Sequence, residues 1–411
     1  VNSRWFAYAL VAAAFLGWAL ASLFPQAEWL FDTTRVLQTA FLAALKMIIA
    51  PLIFFSLMSG VMQLREAKDL GRLGGVTLSY YLLTSLIAIA VGLFIVFFVH
   101  PWTAQPPLVD TDFSLPDTGA TLLSNQDGKL STIIAGLLTA LLSNPFAALA
   151  ELNILGILFS AILFGLAATM VLPKESKWPG LIDELTQIIF RAATWVLSCL
   201  PIGLFAIAHQ LTAKIELSTL VSLAQFSAVV LGATAFHGFI VLPLIAWLLT
   251  GVGPITLFKA IGQPMFTALI TSSSAATLPL SLAAAKDRLQ VPQSTAAFVL
   301  PLGATINMDG TALFEGIAVI FLAYMFGIEL TALSIFVVFL VTMLASAGAP
   351  GIPSGSMAGM QIVMLAVGIP LEAIALLLLI ERPLDTFRTA INVEGDLIGA
   401  LVAKRWAGSS S

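Results

Sequence analysis

Charge is scarce in this chain. Among 411 residues stand only 18 Lys and Arg and 22 Asp and Glu, whereas 59% of the residues are hydrophobic and the mean hydropathy is +1.02. A soluble domain carries about 25% charged residues. At 10% a globule of this size cannot cover itself in water, so a soluble protein is excluded, and the same apolar weight excludes intrinsic disorder. A basic surplus is lacking as well: the net charge of −4 leaves no footprint for nucleic acid, and none is expected as a partner. Cysteine is nearly absent. Cys199 alone allows no intrachain disulfide, and its apolar neighbours Leu200 and Pro201 make it an expected small core residue. The histidines, His100, His209 and His237, are scattered without metal-ligand spacing, and neither HExxH nor GxSxG occurs, so no enzyme is expected. Strand-like alternation is missing too, replaced by continuous runs such as Leu86–Val99 and Ile317–Phe326, which argues against an outer-membrane barrel. What remains is an all-α polytopic membrane protein with lipid as its partner.

Spanning candidates fall at 5–25, 36–63, 73–99, 130–172 (too long for one unbroken helix), 184–213, 217–250, 292–327 with an interruption, and 371–403. Arg4 precedes the first run without a small-residue cleavage site, so that run reads as a retained span. The polar stretch from Pro101 to Lys129 holds Asp110, Asp112, Asp117 and Asp127. Arg65, Lys68 and Arg72, then Lys174 and Lys177, then Lys404 and Arg405 mark the cytoplasmic side together with Arg4. Both termini are therefore expected in the cytoplasm and the Asp-rich stretch outside.

The segment 254–288 has Lys259 near its start and Lys286 and Arg288 at its end, yet is apolar around an interruption from Thr271 to Pro279. A hairpin that enters the membrane and returns on the same side satisfies both facts. A second interrupted segment runs from Ala345 to Ser356. Irregular backbone at membrane depth is tolerated only inside protein or around a wet cavity. A matched pair of such segments points to a transporter of inverted repeats with its site where they meet; the alternative is two Gly/Ser-rich kinks that let helices pack closely.

Asp385, Arg388, Thr389, Asn392 and Asp396 fall at offsets of 0, 3, 4, 7 and 11, one face of a helix. Ionisable residues inside a span are costly and mark a pathway. In the apolar segment 292–327, Asn307-Met-Asp-Gly-Thr311 should break the helix. Freed carbonyls with the Asn307 and Asp309 side chains offer oxygen ligands for a small hard cation; a solvated loop is the alternative. Glu315 adds a carboxyl one turn past Thr311. Asp309, Glu315, Asp385 and Asp396 outnumber Arg388, an excess that cations, protons or a ligand ammonium must balance. Arg388 is the natural bidentate partner of a carboxylate and Asp385 of an ammonium, together a site for an amino acid with an acidic side chain. Tyr81, Thr84 and Ser85 alone read as ordinary membrane-helix hydroxyls that bond back to carbonyls.

Taken together, Ser272-Ser-Ser to Thr277-Leu-Pro279, Asn307-Met-Asp-Gly-Thr311 and Asp385-x-x-Arg-Thr-x-x-Asn-x-x-x-Asp396 resemble the glutamate/aspartate transporter family of dicarboxylate/amino-acid:cation symporters, over essentially the whole chain. The resemblance implies eight transmembrane helices plus two re-entrant hairpins in inverted repeats, a homotrimer, and an elevator mechanism. Residues 1–72 and 101–215 would form the scaffold and its outer loop, and 73–100 and 216–411 the transport domain, with hairpins at 254–288 and 331–370. It places the substrate among Ser273, Ser274, Thr311, Ile352, Ser356, Asp385, Arg388, Thr389 and Asn392. One sodium site would use Gly303, Asn307, Asn392 and Asp396; another Thr305, Ser346, Ala347 and Ala349; a third Tyr81, Thr84, Ser85, Asn307 and Asp309, which gives those hydroxyls a role. Glu315 is the implied proton carrier; beyond sodium and protons no cofactor is implied. Relatives carry a second arginine where Ser272 or Thr386 stands here; this chain has it at neither, and Arg382 is the candidate substitute. The family also begins its last helix with an Asp-Trp-Phe-like run, here Glu381-Arg-Pro383. The expected function is sodium-coupled uptake of L-glutamate or L-aspartate across a plasma membrane, a bacterial inner membrane, with C4-dicarboxylate or neutral amino-acid symport and an anion or ion channel as alternatives.

Overall fold

The computed structural model describes residues 3–69, 71–107, 138–139, 141–173, 175–212, 217–347, 355–370 and 373–407. Ile352, Ala349, the Asp-rich stretch 110–127 and Lys174 lie outside them. Among the described residues the regular structure is helical throughout. The amino-terminal part holds α1 (Ser3–Leu23), α2 (Glu28–Asp69), α3 (Arg72–Phe98), α4 (Pro145–Glu151) and α5 (Ile154–Val171). The long candidate 130–172 is interrupted inside it: Leu152 adopts a left-handed φ of 56° and ends α4, and the Asn153 side chain then caps α5 at the Gly156 N–H. Next come α6 (Trp178–Ser198) and α7 (Leu200–Thr212), bent against each other by 47°. Cys199 sits at that bend and is exposed, contrary to the expectation of a core residue. Apolar neighbours do not imply the interior when the solvent is lipid.

The second half comprises α8 (Leu217–Phe236), a π-helical turn (His237–Val241) and α9 (Leu242–Thr250), then α10 (Pro254–Thr271) and α11 (Ser274–Asp287). After these run α12 (Gln293–Ile306), α13 (Asp309–Met325), α14 (Ala332–Ala347), α15 (Ser356–Ala366), α16 (Ile374–Leu378) and α17 (Glu381–Ala407). α17 begins ten residues later than the candidate span 371–403 and continues through Lys404 and Arg405, whose positive charges suit a helix carboxyl terminus.

Four stretches among the described residues are long and apolar enough to cross a membrane, Glu28–Met62, Arg72–Ala104, Leu217–Thr250 and Gln293–Met325; the bent α6–α7 pair makes a fifth. This is the build of a multi-pass membrane protein. α2 packs against α5, α6 and α7, and α1 against α7. α17 is enclosed by α3, α9, α10, α11, α12 and α13, and every residue from Arg388 to Ala403 is buried, whichever face it lies on. The broken pairs α10–α11 and α12–α13 converge on this central helix.

A buried polar centre around the last helix

Each break falls where small polar residues compete with the helix for backbone hydrogen bonds. α10 ends at Ser272, which takes a left-handed φ of 51°, and Ser273 starts α11 by accepting the Ala276 N–H on its hydroxyl at 3.1 Å. Ser273 and Ser274 are buried at this tip. Likewise α12 stops at Asn307 and α13 starts at Asp309, so both side chains sit at helix ends inside the protein, each with no exposed surface.

Around α12, α13 and α3 the polar groups pair in a chain. Ser85 donates to Asp309 Oδ1 at 2.9 Å, Thr84 to Asn307 Oδ1 at 3.3 Å, and Asn307 Nδ2 to Asp396 Oδ1 at 3.0 Å. Tyr81 donates to the Val299 carbonyl at 2.8 Å, and Gly303 presses against the Asp396 carboxylate and the Tyr81 hydroxyl. Asn392 accepts the Gly310 N–H at 2.8 Å and donates to Thr311 Oγ1 at 3.3 Å, which fastens α17 to the start of α13. The structure thus brings Tyr81, Thr84, Ser85, Gly303, Asn307, Asp309, Asn392 and Asp396 into one region. Asp309 Oδ2 is buried there without a hydrogen bond, an oxygen of the hard type that suits sodium.

The remaining cation candidates are less closely joined. Thr305 lies exposed on the last turn of α12, its hydroxyl bonded back to the Leu302 carbonyl at 2.8 Å. Ser346 is buried near the end of α14 and donates to the Met343 carbonyl at 3.2 Å; Ala347 is the last residue of that helix.

One turn before Asn392, Arg388 is fully buried. Its Nη2 donates to Ser356 Oγ at 2.9 Å, Glu381 Oε1 at 3.1 Å and Asp385 Oδ1 at 3.2 Å, while its Cζ stands 3.9 Å over the centre of the Phe314 ring. Nε and Nη1 make no hydrogen bond. Asp385 also faces Arg382, whose Nη1 lies 3.6 Å from its Oδ2, so Arg382 stands where the substitute cation was sought. Thr389 is buried with its hydroxyl bonded back to the Asp385 carbonyl at 2.8 Å. Glu315 has no exposed surface, neither carboxylate oxygen has a hydrogen bond, and Oε1 rests against Gly359 of α15.

Sequence reasoning missed three members of this centre. Glu381, fully packed, is a direct partner of Arg388. Glu394 is buried with 0% exposure on another face of α17, and His237, also at 0%, points its Nε2 to within 3.7 Å of Asp309 Oδ2. A carboxyl between Val393 and Gly395 in an apolar segment was itself the available signal.

Helices broken at membrane depth around a buried, charged centre define a membrane transporter. The chain belongs to the sodium:dicarboxylate symporter family, whose model matches residues 4–406. It is 32% identical to an excitatory amino acid transporter of Caenorhabditis elegans over 395 residues, covering 87% of this chain and 78% of the relative. Human excitatory amino acid transporter 2 is 32% identical over 403 residues (87% and 70%). Human neutral amino acid transporter A is 30% identical over 427 residues (95% and 79%). The family and these relatives are transporters, not enzymes.

Proposed function

We propose that this protein is a secondary active symporter that takes up an acidic amino acid, L-glutamate or L-aspartate, coupled to sodium ions and, through Glu315, to protons. The observation that carries the reading is Arg388: a fully buried guanidinium with Nε and Nη1 unpartnered, at the meeting of α13, α15 and α17. In this reading it holds the substrate's side-chain carboxylate, and Asp385 receives the amino group. Thr311, Thr389 and Asn392, the tip at Ser273 and Ser274, and the second hairpin at Ile352 and Ser356 complete the pocket. Sodium is assigned to the oxygens of Asn307, Asp309, Asn392 and Asp396 with Gly303, Tyr81, Thr84 and Ser85. A further ion falls to backbone around Thr305, Ser346, Ala347 and Ala349.

The same reading assigns a homotrimer in a plasma membrane, an inner membrane in a bacterium, with both termini cytoplasmic. Eight transmembrane helices and two re-entrant hairpins would divide into a scaffold (1–72 and 101–215) and a transport domain (73–100 and 216–411). The transport domain would move as an elevator, with the hairpin α14–α15 as its gate.

A specific observation favours a second reading, neutral amino-acid symport. Glu381 and Asp385 already sit on Arg388 Nη2, so the local charge is balanced before any carboxylate arrives. Uptake of labelled glutamate, aspartate, serine and alanine into proteoliposomes, under separately imposed sodium, proton and potassium gradients, decides between them. Accumulation of serine but not glutamate would establish the second reading. No accumulation under any gradient would overturn both, and a current without accumulation would make the protein a channel.

A further inference from the structure

Glu394 belongs to none of the sites assigned above, yet it lies in the protein's interior. It has 0% exposure, and neither carboxylate oxygen has a hydrogen-bond partner. It projects from α17 toward the π-helical turn His237–Val241, where the chain carries a glycine: a Cβ on Gly238 would stand 3.2 Å from Glu394 Oε2 and would run into Ile391 Cδ1. Turns of this kind recur at functional sites. Beside Gly238, His237 is also 0% exposed with neither ring nitrogen hydrogen-bonded, and its Nε2 lies 3.7 Å from the unpartnered Asp309 Oδ2. The Tyr80 hydroxyl is buried and unpartnered on α3, and its ring packs against Gly399 of α17.

Native proteins leave few buried polar atoms unsatisfied, and each costs about 1–3 kcal/mol. Glu394, Asp309, His237 and Tyr80 all carry such atoms around the crossing of α3, the π turn, α13 and α17. Glu394 borders Asp309 through the next residue of α17: a Cβ on Gly395 would stand 3.4 Å from Asp309 Oδ2. Such a group calls for a positive occupant together with water. Among the described residues no three His, Cys, Asp or Glu side chains stand close enough to hold a metal ion directly. Carboxylate and hydroxyl oxygens that reach an occupant through water suit a hard alkali-metal cation rather than zinc or another transition ion.

We propose that Glu394, together with Asp309 Oδ2, binds a partly hydrated alkali-metal cation under the π turn, with His237 and Tyr80 holding its waters. Asp309 meets Ser85 through Oδ1 and His237 through Oδ2, so the two oxygens of one carboxylate serve this site and the one assigned through Tyr81, Thr84 and Asn307. It rests on the symport reading only for its consequence, one more coupled ion.

The test uses the full-length protein, purified in detergent and titrated with NaCl or KCl against choline chloride at constant ionic strength. Thermal unfolding is followed by tryptophan fluorescence, at pH 6 and pH 8. Bound cation stabilises the folded state by mass action. The Glu394→Gln variant keeps the shape and removes the charge. Its cation midpoint for stabilisation is expected to move up about tenfold or more, with a shallower dependence on cation concentration. An unchanged cation dependence in Glu394→Gln overturns the proposal. So does a wild-type protein that is stabilised by lowering the pH from 8 to 6 but by neither salt at either pH, which would make the occupant a proton. If Glu394→Gln does not fold, Glu394→Asp keeps the charge but withdraws the oxygens by one methylene, and an unchanged midpoint there overturns the proposal equally. Failure of the symport reading shows separately, as wild-type protein that binds cation in this assay but accumulates no amino acid.

Discussion

Arg388 Nη2 donates to Ser356 Oγ at 2.9 Å and so ties the last helix to the first residue of α15. A hydrogen bond to a charged group contributes about 1.5–3 kcal/mol, enough to hold a helix end that would otherwise fray. Ser356→Ala is therefore expected to speed amide exchange in the first turn of α15 by about tenfold or more in substrate-free protein. Saturating substrate should erase the difference, because the substrate then bridges the two elements. Hydrogen–deuterium exchange mass spectrometry reads both states, and equal exchange in the substrate-free forms would show that this contact holds nothing.

Arg388 and Glu381 are a buried ion pair, at 1% and 0% side-chain exposure and 3.1 Å apart. Breaking such a pair leaves an uncompensated charge and costs about 3–5 kcal/mol, whereas replacing both partners is close to neutral. Arg388→Gln alone is expected to lower the melting temperature and to abolish glutamate and aspartate uptake. The double variant Glu381→Gln/Arg388→Gln should recover most of the thermal stability without recovering acidic uptake. Recovery of glutamate uptake in the double variant would remove Arg388 from the pocket. Arg388→Lys is expected to behave like Arg388→Gln in uptake, since an ammonium cannot reproduce a planar fork.

The helix breaks at Ser272–Ser273 and Asn307–Met308 were readable from residue chemistry alone, because small polar side chains at membrane depth have few other reasons to occur. So was the stripe from Asp385 to Asp396. What escaped was the carboxyl off the stripe. Reading one polar face assumes that the opposite face meets lipid or apolar core, but α17 is buried on every side from Arg388 to Ala403, so Glu394 is interior as well. Cys199 failed in the opposite sense: hydrophobic neighbours mark the interior in water and mark either the interior or the lipid face in a membrane. The pairing of Arg388 with Glu381, seven residues apart, depends on how side chains pack across two turns, which spacing alone does not specify.

Arg382 and Asp385 form a looser pair, 3.6 Å apart with 15% of the Arg382 side chain exposed. At that separation no hydrogen bond forms, and Asp385 keeps Arg388 as its partner when Arg382 is replaced. Arg382→Gln should therefore leave the melting temperature nearly unchanged. If Arg382 orients Asp385 toward the substrate's amino group, KM for the amino acid rises by a few-fold while maximal uptake is kept. Unaltered uptake kinetics would leave the pair without a part in binding.

Glu315 and Gly359 fit each other by shape. The carboxylate has no hydrogen bond, and its Oε1 occupies the space that a side chain at 359 would need. As a proton carrier, Glu315 would make uptake faster with acid outside than with equal pH on both sides, since the proton enters with the substrate. Glu315→Gln should abolish that stimulation while sodium-driven uptake continues, and stimulation that survives in the variant would exclude Glu315 as the carrier. Gly359→Ala tests the packing side of the same contact. Overfilling a packed interior costs about 1–3 kcal/mol, so the melting temperature should fall and the pH response should weaken as the carboxylate is displaced. Adding Glu315→Ala to Gly359→Ala opens the space again and should restore the melting temperature but not the pH response. A double variant no more stable than Gly359→Ala would mean that the crowding arises from backbone rather than from the Glu315 side chain.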